Sequence, residues 1–448
     1  QRKSSDNPLL SLAFKPYLEE LGNDYWDEVN AAKFPNSKLH FRNNSLLNKL
    51  GIEASKVKDI DFEEAFGLFK KRSPFLALRY HGYQFGSYNP YLGDGRGFLY
   101  GQLLDKFGNL QDLGTKGSGT TPWSRGGDGR LTLKGGIREI IAGEALHRLG
   151  VKTSRTLSLI ETGETLWRSD EPSPTRSSIM VRMMQTHLRF GTCERLLYLK
   201  RPDLLEKLLI HVIQIYYKDI AIQHSISKEN PSKSIEIQIL SFYKELVRRV
   251  AMLAAEWMAA GFTHGVLNTD NMSLVGESFD YGPFAFIEKW NPNFIAAYFD
   301  TTGLYSYGRQ PSICCKNLRL LQDPLAMLVS KELLEDKLES FSNIYQNHYS
   351  FCINRRIGLS VNLNETNSIT LKKRYDLLKA TLELLNEWNI EYGMFFQGLT
   401  ENIQKHGFPS TKENLKPDFH KCKSIDPPRE AWINWRDAWW EQQNIQSK

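Results

Sequence analysis

The chain is poor in cysteine, has no long apolar run and carries little charge imbalance, and each scarcity removes a class of protein. Its five cysteines are Cys193, Cys314, Cys315, Cys352 and Cys422. The count is odd and no Cys-x-x-Cys pair occurs, which argues against a zinc ribbon or a disulfide-built secreted scaffold and for a reducing compartment. No stretch of about 18 uninterrupted apolar residues occurs, so neither a transmembrane helix nor a membrane partner is expected. The N-terminal QRKSSDNPLLSLAF lacks the apolar core and small-residue cleavage site of a signal peptide. It starts at Gln1 rather than methionine, as a trimmed or processed chain would. The expected location is cytoplasmic for a bacterial chain, and mitochondrial for a eukaryotic one whose transit peptide has been removed. A net charge of +6 is too small to call for nucleic acid, and none is expected as a partner; a basic pocket for an anionic ligand fits equally well. Internal repeats and the P-loop, G-x-S-x-G and H-E-x-x-H motifs are also missing.

What is present is ordinary globular material, 41% hydrophobic and 24% charged, with length for two or three domains. Residues 1–75 are mixed in texture, with SLLNKLG (45–51) as a short helix stopped by glycine. Between Tyr80 and Lys116, YHGYQFGSY, GFLYGQLLD and LQDLGTKG predict a three-stranded meander with glycine-rich turns. GGIREIIAGEALHRLG follows as a helix, with Ile137, Ile140, Ile141, Ala145 and Leu149 at 3.6-type spacing and Gly150 as its stop. TSRTLSLIET and SSIMVRMM are two further strands. Beyond about Phe190 the pattern turns helical. DLLEKLLIHVIQIYYKDIAI reads as one long helix, and residues 235–261 as another, with Ile239, Phe242, Leu246, Val250, Leu253 and Trp257 on one stripe. IQHSISKENPSKS between them reads as an exposed loop. AWINWRDAWW spaces Trp432, Trp435 and Trp439 as a core-packing helix stripe.

HGVLNTDNMSLVGESFDYG (264–282) resembles the catalytic loop and metal-binding segment of a kinase, whose pattern is H-G-D-x-x-x-x-N followed by an Asp of the DFG type. The frame is kept at Asn271, but Val266 stands where the catalytic Asp belongs. The order of elements is that of an α+β, two-lobed protein-kinase-like fold, an N-terminal antiparallel sheet lobe with one helix before a mostly helical C-terminal lobe. The expected division is an N-terminal extension packing on the core (1–75), a nucleotide-binding lobe (76–190) and a helical lobe with the catalytic loop (191–448).

Such a site needs a glycine turn, a Lys for phosphates, a Glu to orient the Lys, and Asn and Asp for metal. LGDGRG offers Gly93, Gly95 and Gly97, which permit close backbone approach and φ > 0 turns, with Arg96 among them; a ligand-free hairpin turn is the plainer alternative. Lys116 ends the third strand, and Glu139 or Glu144 on the following helix could pair with it. Asp128 and Gly129 lie in a second glycine-rich loop that either covers a nucleotide or is a mobile hairpin. Arg182, in an apolar strand, needs a partner, and with Arg189 it could clamp an anion; a structural salt bridge serves either one as well. Asn271 and Asp280 supply oxygen donors suited to Mg²⁺, and Asp270 is the one carboxylate within the loop able to activate a hydroxyl. His264 is assigned a supporting rather than a catalytic part.

YLGDGRG, TKGSGTTPWSRGGDGR, IREIIAGEALHRLGV, THLRFG, HGVLNTDNMS with DYGPF, and GRQPSICCKNL together resemble the selenoprotein O family over residues 7–320, and more weakly after that. The resemblance implies a pseudokinase that uses ATP, bound in flipped orientation, to transfer AMP to Ser, Thr or Tyr hydroxyls of proteins. It places nucleotide contacts on Gly93, Gly95, Arg96, Lys116, Asp128, Gly129, Arg182 and Arg189, and the Lys–Glu pair on Lys116 and Glu139. It places the proton acceptor on Asp270, and Mg²⁺ (with Mn²⁺ as the alternative) on Asn271 and Asp280. The two extra arginines would then hold the leaving pyrophosphate. Eukaryotic members carry selenocysteine near the terminus, often replaced elsewhere by cysteine, whereas Cys422 is well inside this chain. Cys314, Cys315 and Cys352 are the other candidates for a disulfide. An ordinary metal-dependent phosphotransferase and a catalytically silent nucleotide-binding scaffold are the alternative functions.

Overall fold

The apolar runs bounded by glycine and polar turns assemble into one antiparallel sheet. The computed structural model describes residues 7–227, 229–415 and 426–446, and the chain divides into two compact units. The first comprises residues 1–246, 268–282 and 317–338. Its strands are β1 (Trp26–Val29), β2 (Lys38–Arg42), β3 (Phe75–Leu78), β4 (Gly82–Gln84), β5 (Ser87–Asn89), β6 (Leu99–Leu104), β7 (Leu110–Lys116), β8 (Leu131–Thr132), β9 (Arg155–Leu166) and β10 (Thr175–Met184). The main sheet runs β1-β3-β6-β7-β10-β9-β2, with β8 also paired to β10. Residues 1–75 supply both edge strands, together with the short helices α1 (Asn44–Lys49) and α2 (Asp59–Phe62).

The meander expected between Tyr80 and Lys116 is divided. β6 and β7 pair within the sheet across a turn in which Asp105 Oδ1 accepts from Phe107 N and Asn109 N, both at 2.9 Å. YHGYQFGSY instead closes on itself as a separate β4–β5 hairpin. Its backbone donors reach away from the sheet to residues 268 and 269, from Tyr83 N to Thr269 Oγ1 (2.7 Å) and from Phe85 N to Asn268 Oδ1 (3.1 Å).

Helix α3 (Leu133–Arg148) starts where Thr132 Oγ1 accepts from Gly135 N at 3.0 Å. It lies against β9 and β10, but on a different face from the one its isoleucines suggest. Ile137, Ile141 and Leu149 are exposed, and the buried residues are Leu133, Gly136, Glu139, Ala142, Gly143 and Leu146. The reason is close packing. A Cβ at Gly143 would stand 2.9 Å from Ser154 O, and one at Gly136 would overlap the Leu159 side chain. Two glycines let the helix backbone reach the sheet, and that approach outweighs the hydrophobic gain of turning two isoleucines inward.

The remaining helices wholly or partly in this unit are α4 (Phe190–Tyr198), α5 (Pro202–Tyr216), α6 (Lys218–Gln223), α7 (Pro231–Ala260), α8 (Gln310–Leu325) and α9 (Lys331–Leu338). The single helix expected over 203–222 is broken at Tyr217. That residue leaves helical geometry to donate its hydroxyl to Leu274 O at 2.8 Å and to set its ring edge-on to Phe242. The apolar stripe of α7, from Ile239 to Trp257, is buried throughout.

The second unit comprises residues 247–267, 283–316 and 339–448. Its helices α10 (Phe341–Arg356), α11 (Ser368–Trp388), α12 (Tyr392–His406) and α13 (Arg429–Gln446) enclose a core containing Trp388, Phe395, Trp432, Trp435 and Trp439. The tryptophan stripe is therefore core, and its polar edges are used: Trp435 Nε1 donates to Thr381 Oγ1 (3.0 Å) and Trp439 Nε1 to Ile357 O (2.9 Å). His264 is buried against Trp257 and Phe262, consistent with a supporting part. Cys193, Cys314, Cys315 and Cys352 are thiols, and Cys422 lies outside the described residues. Among the described residues, no helix is long and apolar enough to cross a membrane.

Candidate active site

A cleft of about 760 Å³ opens in the first unit, lined by the two glycine-rich loops, the end of β7, Arg182 of β10, and Asp270 and Asp280. It gathers Gly93, Gly95, Arg96, Lys116, Asp128, Gly129, Arg182 and Arg189 with those two carboxylates. Glu139 reaches the cleft through Lys116, and Asn271 sits half-buried at the end of the turn that carries Asp270.

The glycines of YLGDGRG serve close approach rather than unusual torsion. None of Gly93, Gly95 and Gly97 takes a positive φ, which corrects the expectation from sequence. A Cβ at Gly95 would stand 2.7 Å from Trp123 O, one at Gly93 would overlap the Trp123 ring, and one at Gly97 the Thr115 carbonyl. The second loop thus folds directly onto the first. Left-handed backbone occurs instead in that second loop, at Gly126 (φ 77°) and Gly129 (φ 68°). Charge ties it down: Arg168 pairs with Asp128 at 2.9 Å, and Arg130 meets Glu164 bidentately at 2.7 and 2.9 Å.

The floor of the cleft is an ion cluster. Lys116 Nζ, on the last residue of β7, bonds Glu139 Oε1 and stands 2.6 Å from Asp280 Oδ1. Arg182 NH1 lies 3.3 Å from the same oxygen. Glu144 is engaged elsewhere, accepting from Asn43 Nδ2 (2.9 Å) and from Arg155 Nε (2.8 Å). Burial alone would raise the Asp280 carboxyl, but Lys116, Arg182 and Arg189 hold it well below the usual carboxylate range. Asp280 also adopts φ 67°, a left-handed conformation uncommon outside glycine and tolerated best by Asn and Asp.

Arg182 has a second partner. Its Nε donates to His187 Nε2 at 3.1 Å, and His187 Nδ1 faces Asp112 Oδ2 at 3.1 Å. Burial lowers the His187 pKa, so the ring stays neutral and accepts from the arginine. Gly114, on β7, leaves the room: a Cβ there would overlap the His187 ring. Arg189 is 2% exposed and stacks 4.1 Å from the Tyr80 ring centroid and 4.9 Å from that of Phe279. It donates to Asp270 O at 2.9 Å and lies 3.6 Å from Asp94 Oδ1.

Asp270 is treated differently by its surroundings. It lies in the 3₁₀ turn Thr269–Asn271, is 8% exposed, and its Oδ1 has no hydrogen-bond partner among the described residues. Burial pushes its carboxyl up to about 6; Arg189 opposes the shift and Asp280 adds to it. Gly82 of the hairpin makes the space, since a Cβ there would stand 2.7 Å from that Oδ1. Among the described residues no group of three or more His, Cys, Asp and Glu side chains is placed to hold a metal. Asp94, Asp270 and Asp280 bring carboxylate oxygens to the cleft, whereas Asn271 is not among its lining residues; hard oxygen donors of this kind suit a divalent cation sharing its shell with phosphates and water.

Several site residues were not legible beforehand. Asp94 and Arg125 lie inside the two glycine-rich stretches and His187 inside THLRFG, while no motif marks Tyr80, Gln84 or Arg168. Only Asp94 had a usable signal, as a carboxylate between two glycines.

Residues 8–448 match the family described as Protein adenylyltransferase SelO, so the similarity continues past residue 320 to the end of the chain. The chain is 52% identical over 431 residues to the Protein nucleotidyltransferase YdiU of Trichodesmium erythraeum, covering 96% of this chain and 88% of that one. It is 51% identical to the protein of the same name from Synechocystis, over 97% and 87% of the two chains. The Pseudomonas putida protein of that name is 36% identical, over 87% and 76%. The match along nearly its whole length shows that this chain belongs to the SelO family of adenylyltransferases.

Proposed function

We propose that this nucleotidyltransferase moves AMP from ATP to Ser, Thr or Tyr hydroxyls of proteins, with ATP reversed in the cleft relative to a kinase. The supporting observation is Asp270. It is a buried carboxyl at the cleft with raised proton affinity, beside a floor of cations, in a chain whose kinase base position is Val266. Asp270 accepts the proton of the acceptor hydroxyl as that oxygen bonds the α-phosphorus. The bond from the α-phosphorus to the bridging oxygen breaks, and pyrophosphate departs. Lys116, kept in place by Glu139, lies against the phosphates. Arg182, Arg189 and Arg96 hold the leaving end, and Gly93, Gly95, Asp128 and Gly129 border it. A divalent cation, Mg²⁺ or Mn²⁺, on Asn271 and Asp280 would neutralise phosphate charge.

On the kinase plan, residues 76–190 are the nucleotide-binding lobe, 191–448 the helical lobe and 1–75 the N-terminal extension. The test is intact-mass analysis of acceptor proteins after incubation with enzyme, ATP and Mg²⁺. A gain of one AMP group is expected. A gain of phosphate restores the ordinary kinase, and no gain from any acceptor, the enzyme itself included, restores the silent scaffold.

A further inference from the structure

A second, smaller cavity of about 250 Å³ lies beside the β4–β5 hairpin, and no step of the proposed transfer uses it. Its walls are aromatic, with Tyr83 and Tyr88 from the hairpin and Tyr198 from the end of α4. Tyr83 and Tyr88 stand 5.1 Å apart edge-to-face, and Tyr88 stacks on Tyr198 at 6.0 Å. The lining also holds two carboxylates, Glu194 and Asp323, and the apolar Leu197, Leu320 and Pro324. Asp323 is paired with Lys331 at 2.6 Å. Glu194 has no such cation among the described residues, although it is only 2% exposed. Its Oε2 accepts from Thr269 Oγ1 at 2.7 Å, and its Oε1 is buried without a hydrogen-bond partner among the described residues.

A buried carboxyl with one oxygen unsatisfied costs free energy, and in a native protein such a group points to something not yet present. Burial pushes the Glu194 carboxyl up to about 8, and Asp270 and Asp323 push in the same direction. What relieves it is positive charge, and tyrosine faces add attraction for the same kind of ligand. The pocket is also tied to the chemistry: Thr269, which Glu194 holds, is the residue before Asp270 and also accepts from Tyr83 N. A group seated here would lie beside the acceptor hydroxyl rather than beside the nucleotide.

We propose that the cavity framed by Tyr83, Tyr88, Tyr198 and Glu194 binds an arginine or lysine side chain of the acceptor protein, and so selects hydroxyls that have a cation nearby. This rests on the protein-modifying reading above. The guanidinium or ammonium lies against the ring faces and shares charge with Glu194, while its alkyl stem covers Leu197 and Leu320.

The test has two arms, both with the full chain. In the first, ligand-observed NMR compares binding of N-acetyl-arginine amide with that of its neutral isostere N-acetyl-citrulline amide. The native protein is expected to favour the arginine probe by about tenfold, and Glu194→Gln to erase the preference. Tyr198→Ala, at an exposed rim position, is expected to weaken arginine binding, and it keeps the test decisive if Glu194→Gln does not fold. Equal binding of the two probes by the native protein overturns the proposal, as does a preference that survives both substitutions. In the second arm, α-labelled ATP is given with serine peptides that differ only in a neighbouring arginine or citrulline. Faster labelling of the arginine peptide, lost in Glu194→Gln, supports the pocket. Equal labelling of both peptides overturns it and leaves the AMP-transfer reading standing. An arginine preference in binding with no transfer to either peptide, or to any protein, does the reverse.

Discussion

The turn that carries Asp270 and the stretch that carries Asp280 belong to one loop and line one cleft, yet their carboxyls are driven in opposite directions. Asp280 sits among Lys116, Arg182 and Arg189 and is held ionised. Asp270 is the more deeply buried of the two, and Arg189 gives its backbone carbonyl a hydrogen bond while the carboxyl Oδ1 is left alone, so burial prevails. The difference teaches that burial by itself decides little; the number and aim of the cations decide it. A permanently charged carboxylate suits a platform for cations. One with raised proton affinity suits transient proton transfer.

The largest effect that would break this contrast is at Asp280. Asp280→Ala should abolish AMP transfer, and because it leaves Lys116 and Arg182 without their shared counter-charge it should also cost on the order of 3–5 kcal/mol in stability. Transfer from α-labelled ATP and a denaturant melt measure the two effects; a variant with normal transfer removes Asp280 from the site. Next in size, Asp270→Ala should slow transfer by roughly 10²–10⁴-fold with ATP affinity nearly unchanged. If affinity falls while turnover is kept, Asp270 is a ligand rather than a base.

A stability measurement sharpens the same comparison. The Asp270 carboxyl binds its proton more tightly in the folded chain than in the unfolded one. Stability therefore falls as pH rises from the usual carboxylate range through about 6, and the charge costs its full amount above that. In protein free of nucleotide and metal, Asp270→Asn should stabilise by roughly 1–3 kcal/mol at neutral pH. The gain should vanish below the carboxylate range, and a gain independent of pH would contradict the assignment. The smallest effect is steric. Gly82→Ala places a Cβ 2.7 Å from Asp270 Oδ1 and must displace that carboxyl. Transfer should slow by about three- to tenfold with ATP binding retained, and unchanged kinetics would mean the position of Asp270 is not critical.

How much of this was legible in the sequence follows from the kind of contact involved. Lys116 pairs with Glu139 as the family resemblance implies, where spacing left Glu144 open, and Asp280 joins the pair. The face of α3 did not follow its isoleucines, because what fixes it is the space left by Gly136 and Gly143 against β9, and periodicity counts side chains rather than their absence. The break at Tyr217 was equally hidden, since a hydroxyl reaching Leu274 O is a long-range contact inside a pattern that reads as continuous helix. Arg182 needs a partner by its place in an apolar strand, but the chain from it through His187 to Asp112 joins two stretches 75 residues apart that share no motif. Motifs marked many of the charged groups that line the cleft. Tertiary packing supplied the groups that orient them.

The most direct test of the account is a paired labelling experiment with the full chain, Mg²⁺ and an acceptor protein. Radiolabel at the α-phosphate of ATP should enter protein, be lost from it in Asp270→Ala, and be matched by release of pyrophosphate, while label at the γ-phosphate should stay out. Stable entry of γ-label in place of α-label would contradict the reversed nucleotide and the role given to Asp270 together.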